Sequence, residues 1–268
     1  DRENYNKDLW AARVDLEFRP ADDLFIKLNW DKTRDTSNAK GGYRLLPSLL
    51  TNAPVPESVY DSYTSLPTSN LVELEGYSLM ISYDYSDELE LKYIASRREG
   101  YSPTNIDFDN TALDIFDVPA EYKDENSTHE IQANYSTDGY SLVSGIYLYD
   151  GESCGNFDAI LGFLGRAAFG TPGLTREVTG CNNSESWAAY TQASFDISET
   201  LSMTVGARYT DEEKTAIVNN GLVFANVYPQ SGWIPGYVRP DGQLVPTVLG
   251  DDANGDGVLD GPKSQSWS

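Results

Sequence analysis

The sequence of 268 residues carries 42 acidic and 19 basic side chains, a formal net charge of −23. This charge argues against nucleic acid as a partner, because surfaces that bind nucleic acid are basic. The mean hydropathy is −0.46, and no apolar run approaches the length of a transmembrane helix, which excludes a helical membrane protein. The aromatic content of 12% excludes a disordered acidic chain, and the length fits one large domain or two ordinary ones.

Apolar and polar residues alternate with a period of two along much of the chain, which predicts β-strands rather than helices. Tight turns at Pro20, Ser86 and the Asp138–Gly139 pair join the strands into hairpins. Strands of about ten residues with one apolar and one polar face suit a membrane-spanning barrel. The predicted strands are 7–19, 23–32, 71–85, 88–98, 128–135 and 140–149, two more in a hairpin over 184–214, and the start of a ninth at Ser264.

Short turns alternate with four long polar segments, near 33–70, 99–126, 150–183 and 215–263. Outer-membrane barrels have this asymmetry, with tight periplasmic turns and long extracellular loops. In the third segment, apolar residues recur at roughly helical spacing. They predict a short helix that either packs on its own loop or covers a ligand as a lid. These apolar residues are Phe157, Ile160, Leu161, Leu164 and Ala168.

Aromatic residues of the predicted apolar face fall into two groups along the strands. Such girdles mark the two membrane interfaces of a barrel. On the long-loop side the group is Trp10, Trp30, Tyr77, Trp187 and Tyr209, and on the turn side it is Phe18, Tyr83, Tyr85, Tyr135, Tyr140 and Phe195.

The chain offers little for catalysis. Its single histidine, His129, falls on the predicted apolar face, which leaves a Ser-His-Asp triad little to work with. The pairs Glu73/Glu75 and Glu88/Glu90 share a face at the end of a strand, where we expect a solvated rim rather than a glycosidase site. Metalloprotease and dinucleotide-binding motifs are absent. The sequence therefore predicts a protein that is not an enzyme.

One segment has the spacing of a calcium loop. It offers oxygen donors at the first, third, fifth, seventh and ninth positions, the seventh through its carbonyl. The twelfth position is Lys263 rather than the bidentate glutamate, and no helices flank the segment. We therefore weigh calcium binding against an ordinary acidic turn. The candidate ligands are Asp252, Asn254, Asp256, Val258 and Asp260.

The hairpin AAYTQASFDISETLSMTVGARYTDEEK, residues 188–214, resembles a barrel hairpin of TonB-dependent receptors. The shared elements are an aromatic-x-Gln-Ala/Ser-x-Phe-Asp run, a short turn, and Leu-Ser-x-Thr-x-Gly-x-Arg-Tyr-Thr-Asp-Glu. The resemblance implies an all-β, antiparallel transmembrane β-barrel. Residues 1–268 would then be one partial barrel domain, an internal slice of about eight strands from a larger barrel with 22 strands.

The resemblance also implies a function, which is energised uptake of a scarce nutrient across the outer membrane of a Gram-negative bacterium. The expected partners are outer-membrane lipid, the TonB complex acting through a plug that these residues do not include, and a small molecule or metal chelate. A ferric siderophore, cobalamin and a glycan all remain open as ligand. Aromatic residues in the long loops are the candidates for ligand contact, namely Tyr43, Tyr60, Tyr63, Phe169, Trp233 and Tyr237.

A second interpretation is a soluble extracellular β-sandwich that binds carbohydrate with calcium. A sandwich would place turns every eight to twelve residues or so, whereas the polar segments here are several times longer and lie on one side. The two cysteines, Cys154 and Cys181, flank the third segment. Outside the cytoplasm they are expected to form one disulfide, with two unpaired thiols as the alternative.

Overall fold

A computed structural model describes residues 4, 6–48, 51, 53–66, 70–225 and 263–267. These residues form one antiparallel sheet of nine strands, each paired with its sequence neighbours. Among them, no helix is long and apolar enough to cross a membrane. The strands are β1 (Leu9–Ala21), β2 (Leu24–Asp35), β3 (Val72–Asp84), β4 (Leu89–Asp107), β5 (Asp117–Thr137), β6 (Tyr140–Ile160), β7 (Thr175–Ser198), β8 (Leu201–Val223) and β9 (Lys263–Trp267), with one helix, α1 (Gly162–Phe169), between β6 and β7.

The register confirms the predicted apolar face. Directly opposed residues share a face of a sheet, and Leu16 lies opposite Leu28, which lies opposite Leu79. The face is open to its surroundings: Phe18 on β1 is 62% exposed and Val205 on β8 is 54% exposed. Exposed apolar side chains over many strands mark a surface that needs an apolar environment.

Three residues of the turn-side aromatic group are in contact with one another. The ring of Tyr140 lies 6.2 Å from that of Tyr135 and 6.2 Å from that of Phe195, which it stacks on. On the long-loop side, Trp187 and Tyr209 lie 5.5 Å apart. These distances suit favourable aromatic pairs. Trp187 and Phe195 share strand β7, and Phe195 is the nearer of the two to the turn, so the two groups lie toward opposite ends of the apolar face.

The opposite face is polar and hydrogen-bonded across strands. Glu90 on β4 accepts from Asn134 Nδ2 on β5 at 2.9 Å and lies 3.2 Å from Lys92 Nζ. Ser82 on β3 is buried and donates to the same carboxylate. A polar, cross-linked face is what the wet lumen of a barrel requires.

Strands β4 to β8 extend well beyond the bounds that alternation predicted. Much of the predicted loops 99–126 and 150–183 is strand, and the actual connections are 108–116 and 161–174. Strand β8 likewise continues to Val223 into the predicted loop 215–263. The upper strand segments carry polar residues on both faces, so the period-two pattern disappears although the backbone pairing continues.

Helix α1 lies in the connection between β6 and β7, as the apolar spacing predicted, but it begins later. Phe157 and Ile160 belong to β6. The helix ends at Phe169 and is capped by Gly170, whose φ of 64° is the left-handed conformation that glycine favours. Several apolar side chains are buried in the upper ends of the long strands and their connections, namely Val118, Ala120, Ile160, Leu174 and Val223. Of these, Val223 forms a small core cluster with Ala225.

Candidate functional site

The connections at the long-loop end of the sheet hold the described candidate ligand residues, which are Tyr43, Tyr60, Tyr63 and Phe169. Tyr60 is 94% exposed, so its ring is free to stack on a ligand. Tyr43 donates to the Pro56 carbonyl at 3.4 Å, and Phe169 on α1 packs edge-on against Phe224 at 5.7 Å. The structure therefore leaves Tyr60 available and partly occupies the other two.

Of the remaining predicted ligand positions, Tyr63 alone lies within the described residues. Tyr63 is 41% exposed in the connection between β2 and β3. Trp233, Tyr237 and the calcium-loop candidates Asp252, Asn254, Asp256, Val258 and Asp260 lie outside the described residues. These positions stay predictions.

The two cysteines lie directly opposite each other on β6 and β7. Cys154 and Cys181 form a disulfide, with their Cα atoms 4.0 Å apart. The bridge joins two strands that are already paired, whereas the sequence placed it at the mouth of a loop. It fastens the upper part of this hairpin, where neither face is packed in an apolar environment.

Above the apolar face, a row of four glutamates crosses four consecutive strands. Glu75, Glu99, Glu125 and Glu152 are directly opposed from β3 to β6; we call them the glutamate row. Directly opposed like charges destabilise a sheet. The sequence did not reveal this row, because its members are 24 to 27 positions apart and meet only through the strand register.

Basic side chains offset part of this charge. Arg97 bridges two members of the row, with Nε 2.8 Å from Glu99 and Nη2 3.1 Å from Glu125. Lys32 Nζ lies 2.9 Å from Glu75. Glu152 has no ion pair among the described residues. The outer wall just above the apolar face is therefore acidic.

The polar face carries a second network at mid-height. Tyr190 on β7 donates to Glu130 on β5, and Arg208 on β8 lies over the rings of Tyr147 and Tyr190 at 5.9 and 6.0 Å. The Tyr190 ring crosses Gly145, where a Cβ atom would lie 2.5 Å from its hydroxyl oxygen. This network presents hydroxyl, carboxylate and guanidinium groups on the polar face of the sheet.

Three aspartates meet at the tip of the β4–β5 hairpin, and sequence reasoning missed them. One carboxylate oxygen from each of Asp107, Asp109 and Asp117 lies within 4.8 Å of the other two. Burial raises the pKa of Asp117 to about 8, although a hydrogen bond from Ser65 opposes the rise. Burial and the neighbouring Asp109 charge also raise the pKa of Asp107. The Asp-x-Asp spacing was visible in the sequence, but Asp117 joins it only through the hairpin register.

Comparison with known proteins places this geometry in a family. The family model described as TonB dependent receptor-like, beta-barrel matches residues 9–246. No curated protein matches the sequence. The crystal structure of the ferric yersiniabactin uptake receptor FyuA from Yersinia pestis is similar in fold, with a TM-score of 0.60 and 12% identity.

The match to FyuA covers 80% of this chain and 34% of that receptor, so the chain spans about a third of its length. At this identity the likeness concerns the fold alone. The family model covers most of the chain, and it agrees with the apolar face, the aromatic groups and the strand order. The chain belongs to the TonB-dependent receptor family, of which it carries part of the β-barrel.

Proposed function

We propose that this chain forms wall and extracellular loops of an outer-membrane receptor that takes up a scarce small molecule with energy from the TonB complex. The observation that carries the proposal is a sheet with one continuous apolar face, bounded by aromatic groups, and one polar face. Such a sheet suits a bilayer on one side and an aqueous lumen on the other. The family match supports transport rather than catalysis.

The length of the strands supports an extracellular capture region. A barrel strand needs about 9–11 residues to cross the membrane, whereas β7 has 24 and β8 has 23. The surplus lies on the side of the long connections, where the exposed Tyr60 and the helix α1 also lie. A rigid rim of paired strands would hold the ligand-binding loops above the membrane, and the cell outer membrane of a Gram-negative bacterium is the proposed location.

A ferric siderophore is the first ligand to test, because FyuA takes up a ferric chelate; cobalamin and glycans are the other candidates. Coupling would act on a plug inside the barrel. The experiment compares cells that carry the gene for this chain with a deletion strain, each with and without TonB. Uptake of ⁵⁵Fe-siderophores, labelled cobalamin and labelled oligosaccharides is measured.

The proposal predicts that uptake of one ligand class is lost both on deletion of the gene and on deletion of TonB. Uptake that depends on the gene but not on TonB would contradict energised transport. Recovery of the protein in the soluble fraction would contradict the location, and would favour the soluble calcium-dependent carbohydrate-binding module instead.

A further inference from the structure

The aspartate cluster at the β4–β5 tip has a defined architecture. Asp107 ends β4, Asp117 begins β5, and the two lie directly opposite each other. Asp109 lies in the connection and accepts from the Phe116 backbone N–H at 2.7 Å, which folds the connection back over the cluster. The strand pairing and the nine-residue connection together hold the three carboxylates close to one another.

The cluster lacks a compensating positive charge. Within the described part of the chain, no salt bridge reaches Asp107, Asp109 or Asp117. Asp114 in the same connection behaves differently, since Arg166 of α1 lies 2.8 Å from it. At the hairpin tip, Asp114 is therefore paired with a basic side chain, whereas the three clustered aspartates have no basic partner among the described residues.

The surrounding groups orient the carboxylates but leave one carboxylate oxygen available to bind a cation. Asp107 accepts from the backbone N–H groups of Asn110 at 2.7 Å and Ser65 at 3.1 Å. Asp117 is fully buried, and its Oδ2 accepts from the Ser65 hydroxyl while its Oδ1 has no hydrogen-bond partner. A buried carboxylate oxygen without a partner is costly, and it marks the place where a cation would be favourable.

We propose that Asp107, Asp109 and Asp117 form a calcium site that ties the β4–β5 tip to the connection between β2 and β3. Calcium prefers six to eight oxygen ligands at about 2.3–2.6 Å, so two oxygens on one ion lie no more than about 5 Å apart. The observed separations, within 4.8 Å, meet this limit. The hydrogen bonds from backbone N–H groups act as the outer shell that orients metal ligands.

The Ser65 contacts give the site a structural consequence. Ser65 donates to Asp107 and to Asp117, so an ion between these carboxylates would fix the β2–β3 connection against the hairpin tip. That connection also carries Tyr60. The site uses none of the residues of the Asp252 motif, and it does not depend on the proposed transport function.

The test is equilibrium binding of ⁴⁵Ca²⁺ to the whole chain in detergent micelles, in a background where Asp252→Asn and Asp256→Asn remove the other calcium motif. We expect one calcium ion per chain. Asp117→Asn should weaken calcium binding by about 10-fold or more. Loss of an outer-shell contact already lowers metal affinity by about 10-fold or more, and loss of a direct ligand should lower it at least as much. The matched control Asp114→Asn, in the same connection, should bind within about twofold of the parent, because Asp114 is paired with Arg166.

Thermal unfolding separates a calcium ligand from a merely structural residue. Calcium should raise the unfolding temperature of the parent and of Asp114→Asn but not that of Asp117→Asn. In chelator, Asp117→Asn should unfold at or above the parent temperature, because the neutral amide removes the cost of burying an ionisable carboxyl beside Asp107 and Asp109. Asp109→Asn serves as a second ligand variant if the first fails to fold. Calcium binding that is unchanged in both variants, or absent in the parent, would overturn the proposal.

Discussion

The disulfide between Cys154 and Cys181 gives the sharpest prediction for stability. The cysteines are 27 positions apart. For a closed loop of this length, the chain-entropy relation gives about 12 cal/mol/K, or about 3.5 kcal/mol at 25 °C. The double variant Cys154→Ser/Cys181→Ser should therefore lose about 3 kcal/mol of unfolding free energy, because the unfolded chain regains the freedom of that loop.

The assay is urea unfolding of the whole chain in detergent micelles, followed by tryptophan fluorescence. Reducing agent should lower the stability of the unaltered chain to that of the double variant and leave the double variant unchanged. The pair Asn156 and Thr179, which lies next along the same face, provides a control, and its replacement by serines should cost under about 0.5 kcal/mol. A loss below about 1 kcal/mol for the cysteine variant would refute the entropic reasoning.

Three further substitutions test the sheet and its rim. Arg97→Gln leaves two glutamates of the row without their shared partner. It should cost up to about 1 kcal/mol in low salt, since the pairs are exposed, and less in high salt. Gly145→Ala places a Cβ against Tyr190 and a backbone carbonyl and should cost about 1–3 kcal/mol; Tyr190→Ala should restore only part of it. Tyr60→Ala should leave stability within about 0.5 kcal/mol but weaken ligand capture, measured as a higher half-saturation concentration for uptake.

For each of these substitutions, one result would contradict the expected effect. A salt-independent effect of Arg97→Gln would mean that its packing matters more than its charge. Gly206→Ala is the control for Gly145, since its added Cβ would be 3.4 Å from the nearest atom. Equal losses at both glycines would contradict the steric argument. Unchanged uptake in Tyr60→Ala would remove this residue from the ligand site.

The membrane-facing part of the fold was predictable because two separate sequence patterns indicate it. Alternation fixed the faces of β1 to β8, and the aromatic residues marked both limits of the apolar band. Registers such as Leu16 with Leu28 follow from tight turns, which leave little freedom in pairing.

The upper half of the sheet was not predictable in the same way. Residues 108–116 are a connection, whereas 99–107 and 117–126 are strand, and polar residues on both faces conceal that difference. The glutamate row and the aspartate cluster join residues from separate strands. The like charges of the glutamate row meet only after the strands are paired, so local sequence patterns carry no sign of the row. Of the aspartate cluster, the sequence shows only the Asp107 and Asp109 spacing, and Asp117 joins them through the strand register.

The most direct test of the account is the environment of alternate residues on β8. Single cysteines at Met203, Val205, Thr204 and Gly206, introduced without the native pair, are spin-labelled in the chain reconstituted into lipid vesicles. The account predicts that labels at Met203 and Val205 collide with oxygen in the lipid phase and are shielded from a water-soluble nickel reagent. Labels at Thr204 and Gly206 should show the reverse. Equal access of the nickel reagent to all four positions would contradict a membrane-facing sheet.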